Sequence, residues 1–149
     1  MKTFYTVEYC QKVRLDAWLL KMDACPSYFA ASSQKLAEVM NGCGPDSWTD
    51  GMRDAASWVY RNFPENISIH DWDFEHSDGN VETLKIVNQR FWDNGKIKLN
   101  RLYPLGKFWL APIRALAWSK LQFAFFALKN GSEEAWISAH HRLNPPELT

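Results

Sequence analysis

An all-α fold is predicted for this chain of 149 residues, on three observations. Apolar residues recur at helical spacing along most of the chain, and glycines and prolines fall where helix ends would need them. Strand-type alternation is weak throughout, its best stretch being Thr3 to Tyr9. No repeat, low-complexity tract or linker divides the sequence, and its length suits one domain, 1–149, with a substantial core.

The first helix is expected within 6–23, where Val13, Ala17, Leu20 and Ala24 share a face, with Pro26 as its terminator. Ser33 to Met40 reads as a second, short helix with Leu36, Val39 and Met40 on one side. Asn41-Gly42-Cys43-Gly44-Pro45-Asp46 breaks the pattern: two glycines and a proline in six residues make a loop. A helix from Asp46 or Ser47 to Arg61 follows, either residue serving as N-cap. Asn62-Phe63-Pro64-Glu65 predicts another start, with Asn62 as cap, Pro64 in the first turn and Glu65 completing a capping box. That helix ends near Ser77, at the turn Ser77-Asp78-Gly79-Asn80, and the next runs from Val81 to Asn94 and stops at Gly95. Beyond a connector from Arg101 to Gly106, a long aromatic helix covers Lys107 to Lys129 with Pro112 near its start. Asn130-Gly131-Ser132 interrupts it, and Glu133 to His140 forms a last short helix.

Composition narrows the class. The apolar fraction of 46% and aromatic fraction of 15% exclude disorder, and eight tryptophans exceed what a small core hides, so some are expected at a surface that meets something. Cys10, Cys25 and Cys43 are odd in number and lack C-x-x-C spacing, which favours free thiols in a reducing compartment; Cys43 reads as a small buried residue. Met1 to Cys10 has no continuous apolar run, so no secretory signal is expected and a cytoplasmic location is. Leu121 to Leu128 is too short to span a bilayer, leaving at most a peripheral contact with a membrane.

Net charge is zero, but the charges are segregated. From Asp46 to Glu82 acids dominate, with only Arg53 and Arg61 against them; from Lys85 to Lys129 the sole acid is Asp93. This asymmetry suggests a cation site in the first segment and an anionic partner for the second; alternatively the two segments neutralise each other within the fold.

The chemistry concentrates at His70-Asp71. Ile67, His70, Asp71 and Phe74 lie at i, i+3, i+4 and i+7, and Leu84, Val87, Asn88 and Phe91 repeat that spacing in the next helix. Polar groups thus occupy the middle of two apolar stripes, and packing the stripes together brings His70 within reach of Asn88. A histidine in an apolar wall, a carboxylate beside it and a glycine loop upstream suit calcium-assisted hydrolysis. Loop carbonyls and Asp71 are hard oxygen ligands, and neutral His70 is a candidate general base. His76, His140 and His141 read as solvated surface residues.

The segments Asn41-Gly42-Cys43-Gly44-Pro45, Ile69-His70-Asp71-Trp72 and Phe91-Trp92-Asp93-Asn94, with the tail Ala127 to Trp136, resemble a group of small prophage-encoded proteins. That group is similar in turn to the phospholipase A2 fold, with its glycine calcium loop and H-D-x-x-Y helix. The resemblance covers 41–137 and leaves 1–40 as a helical N-terminal extension. It implies a calcium-dependent phospholipid hydrolase with His70 as general base, Asn88 as the residue that orients it, and a calcium site of Asp71 with the carbonyls of Gly42 and Gly44. Two positions depart from the pattern: Phe74 replaces the tyrosine, and Asn88 stands where an aspartate orients the histidine. Both changes remove parts of one hydrogen-bond network, and the cysteines usual in the segment from Asp46 to Phe63 are missing too.

The basic aromatic helix allows two readings. Trp109, Trp118, Phe123, Phe125 and Phe126 interleave with Lys107, Arg114 and Lys120, which suits an interfacial helix on anionic phospholipid. Most aromatic helices in small domains are core, and that is the expectation here. A non-catalytic phage protein that binds lipid or a partner, and a nucleic-acid-binding module using Lys85 to Lys129, are the competing functions, the latter without a recognised motif. An HD-type metal phosphohydrolase is set aside, because no histidine precedes His70.

Overall fold

The computed structural model describes residues 5–40 and 61–144, and among them every regular element is helical. The predicted loop at Asn41 to Asp46, with Gly42, Cys43 and Gly44, and the helix predicted after it lie outside the described residues.

Helix α1 (Val7–Leu19) begins where the Thr6 hydroxyl accepts the Tyr9 amide, so the weak strand signal at Thr3 to Tyr9 gives way to a capped helix over Val7 to Tyr9. Its end is a Schellman turn: the Met22 amide donates to the Ala17 carbonyl and the Lys21 amide to that of Trp18. Lys21 takes the left-handed conformation there, φ 54°, that glycine usually fills. Pro26 does more than end a helix; it occupies the first turn of α2 (Pro26–Ala30), where its missing N–H costs nothing. Helix α3 (Ser33–Val39) is capped by Ser32.

Helix α4 (Pro64–Glu75) is the centre of the described structure. Seven of its twelve residues are buried. Ile69 and Trp72 join Cys10, Val13, Ala17, Tyr28 and Leu36 in one apolar cluster, so residues 5–40 form a wall of the core. On its other side Phe63 and Ile67 meet Phe91, Leu121 and Ala124. The cap is Phe63, with its ring buried; Asn62 does not cap, and Glu65 is drawn into an ion pair with Lys98.

Helix α5 (Val81–Leu102) starts at the predicted cap, Asn80, but runs through Gly95 for a full 22 residues, about 33 Å. Gly95 serves packing here. A Cβ on it would lie 2.3 Å from Leu121 Cδ1 and 2.8 Å from Cδ2. The glycine therefore lets α5 approach α6 (Ala111–Gly131), which a short 3-10 turn at Phe108–Leu110 introduces. Helix α7 (Glu133–Leu143) closes the fold: Trp136 packs with Leu84, Val87 and Phe74 and donates its indole N–H to the Asn80 carbonyl at 3.0 Å.

The expectation that the aromatic helix is core is corrected. Only Ala117, Lys120, Leu121 and Ala124 of the 21 residues in α6 are buried. The charge segregation is in part internal, because Glu65 pairs with Lys98 and Asp73 with Arg90 across the two segments.

Gly95→Ala should lower stability by about 1–3 kcal/mol from overpacking, despite alanine's helix propensity advantage of about 1 kcal/mol. Urea unfolding checks this. Leu121→Ala should cost less in the Gly95→Ala background than alone, and strictly additive losses would sink the close-approach argument.

Candidate functional site

The site sits where α4 faces α5. His70 stacks on Phe74 with ring centroids 4.5 Å apart and meets Phe91 edge-on at 5.8 Å. Asn88, one turn before Phe91, places Oδ1 3.4 Å from His70 Nε2, a long hydrogen bond. The structure thus brings together the two residues that the matching stripes predict as neighbours.

The direction of that bond follows from its continuation. The Ser132 hydroxyl donates to the Leu128 carbonyl at 2.5 Å, so its lone pairs are left to accept the Asn88 amide N–H at 3.2 Å. Asn88 therefore turns its oxygen to the imidazole, and Nε2 must carry the proton. A neutral ring protonated at Nε2 keeps its lone pair on Nδ1, which has no hydrogen bond among the described residues. Burial pushes the imidazole down to about 4, against a smaller opposing effect of the Asn88 hydrogen bond, so the ring is neutral at pH 7. His76 is arranged the other way, its Nδ1 lying 2.8 Å from the Trp72 carbonyl oxygen.

Asp71 is half-buried as a residue, but its Oδ2 is fully buried and has no hydrogen-bond partner among the described residues. Burial pushes its carboxyl well above the usual carboxylate range. Neither ionised nor protonated is such an atom satisfied by its surroundings, and a hard cation is one group that would satisfy it. Gly42 and Gly44 lie outside the described residues, and among those described no cluster of three His, Cys, Asp or Glu side chains could hold a metal.

Ser132 is the member of this hydrogen-bond chain that sequence reading passes over, since it looks like the restart of a helix. Its place in the chain depends on a contact between residues 44 apart, which no local pattern announces. His140, predicted to be solvated, is half-buried, with Nδ1 3.1 Å from the Ser77 carbonyl and its ring against Gly79. Cys10 and Cys25 are free thiols, the first buried and the second half-buried. Comparison with protein-family models, with characterised proteins and with solved structures finds no match for the chain.

Nitrogen NMR of the imidazoles at neutral pH should show His70 protonated at Nε2 and His76 at Nδ1. A His70 ring carrying its proton on Nδ1 would break the hydrogen-bond chain at its last link.

Proposed function

We propose that this protein is a calcium-dependent phospholipid ester hydrolase of the phospholipase A2 type, with His70 as general base. The observation that carries this reading is the tautomer set by Leu128, Ser132 and Asn88, which leaves the Nδ1 lone pair of a neutral imidazole without a hydrogen bond among the described residues, while the next residue, Asp71, has a buried carboxylate oxygen in need of a partner. His70 Nδ1 takes a proton from water as the water oxygen adds to the ester carbonyl, and returns it to the departing alcohol. Asp71, with the carbonyls of Gly42 and Gly44, would hold the calcium ion, which supplies Lewis-acid polarisation of the ester when bound. Asn88 is a positioning residue. Its amide oxygen orients the ring but lacks the charge that an aspartate would set against imidazolium.

A second reading draws on that same lack. A base held near pH 4 by burial lies far below the pH at which it would work, and the ring has an amide where a carboxylate would raise it. In this reading the chain is a non-catalytic phage protein that keeps the architecture and binds a lipid or another partner. Nucleic-acid binding has less support, because Arg90, Lys98 and Arg114 are taken up by Asp73, Glu65 and the Tyr103 carbonyl.

Fatty-acid release from vesicles of phosphatidylglycerol and phosphatidylcholine tests both. Release is expected with calcium and not with chelator, and His70→Ala should lower it about 10²- to 10⁴-fold. Asn88→Asp should keep or raise it. A folded wild-type chain that releases nothing in calcium leaves the non-catalytic reading standing.

A further inference from the structure

Helix α6 turns outward a face that its sequence would have led one to bury. Phe123 is 60% exposed, Phe126 67% and Trp109 60%, and Phe108, against which Trp109 packs edge-on, is 82% exposed. Leu116 continues the same side of the helix at 54%, and Ile113, on the flank near the helix start, is 52% exposed. The opposite side is the one that packs: Leu121 and Ala124 lie on Phe91, while Trp118 and Phe125 lie on Trp92. The four exposed rings alone present on the order of 500 Å² of apolar surface, at the upper end of the largest patch on an ordinary monomer.

The charge around this face selects its occupant. Between Asp93 and Glu133 the chain has no acid, and the exposed bases Arg101, Lys107 and Lys129 make no ion pair among the described residues. A second copy seated face to face would set these bases against themselves. Nucleic acid would engage the bases and rings but has no use for Ile113 and Leu116, which cannot serve as stacking platforms. No helix among the described residues is long and apolar enough to cross a membrane, so a lipid partner would be met at the surface.

We infer that the outer face of α6, with the Phe108–Trp109 corner, docks the protein in the plane of an anionic lipid bilayer. The rings enter the boundary between headgroups and acyl chains, and Arg101, Lys107 and Lys129 lie at the phosphate level. The inference needs no hydrolysis, and it holds for either reading of the His70 site.

Vesicle flotation tests it, using the full chain carrying His70→Ala, in chelator, so that turnover plays no part. Binding is expected to phosphatidylglycerol-rich vesicles, with much less to pure phosphatidylcholine. Phe123→Glu with Phe126→Glu should weaken it at least about tenfold. Lys107→Gln and Lys129→Gln should each weaken it about fivefold. Trp18→Ala, equally exposed on α1, should leave it unchanged. Absence of binding to anionic vesicles, or an equal loss with Trp18→Ala, overturns the inference. So does concentration-dependent dimerisation abolished by the phenylalanine pair, which gives the face to a second copy. Oligonucleotide binding lost with the lysines, in a chain that ignores vesicles, gives it to nucleic acid.

Discussion

The need to pair buried polar groups on α4 governs the rest of the structure. Glu65, Asn66, Ser68 and Asp73 are all buried, and each finds a partner on another element; among the described residues the Asn66 amide oxygen and Asp71 Oδ2 are the buried side-chain atoms left without one. Glu65 takes Lys98, Asn66 donates to the Phe91 carbonyl at 2.7 Å, Ser68 accepts from Tyr28 at 2.9 Å, and Asp73 takes Arg90 at 2.8 Å. Trp72 adds an indole N–H to Ser27 on α2. An apolar contact tolerates sliding; these contacts do not, because a group that misses its partner in the interior costs about 1–3 kcal/mol, and more for a charge. Helices α2 and α5 are therefore held in register against α4 by hydrogen-bond geometry as well as by shape.

This explains why several helix starts are legible in residue type while the burial of α4 and the exposure of α6 are not. Helix starts announce themselves locally: Asn80 before Val81, Pro64 after Phe63 and Ser32 before Ser33 all act within one turn. Burial is decided at long range. A helix rich in Glu, Asn, Ser and Asp is central here because its partners lie far along the chain, and an aromatic helix sits at the edge because nothing described covers its outer side. The stop expected at Gly95 failed for a related reason. A glycine marks either an end or a close approach, and only Leu121, distant in sequence, tells which.

The candidate site was legible to the extent that it is periodic. His70 and Asn88 stand at equivalent places in two stripes, so packing the stripes predicts their meeting. The proton's position on the ring was not legible, because it is set by Ser132 at the junction of α6 and α7 and by the Leu128 carbonyl beyond it. Asp71 could be named from the sequence, but its unpartnered oxygen shows only in the packed structure.

The ion pairs on α4 also give the core an unusual response to heat. Asp73 is held above the usual carboxylate range by burial even with Arg90 beside it, so desolvation outweighs attraction at that pair. The hydration of ions loses favourable free energy on warming, while the gain from burying hydrocarbon levels off. The penalty at Asp73–Arg90 and Glu65–Lys98 therefore shrinks as temperature rises. The polar lock along α4 is relatively weakest in the cold, where hydrophobic clustering is fading as well.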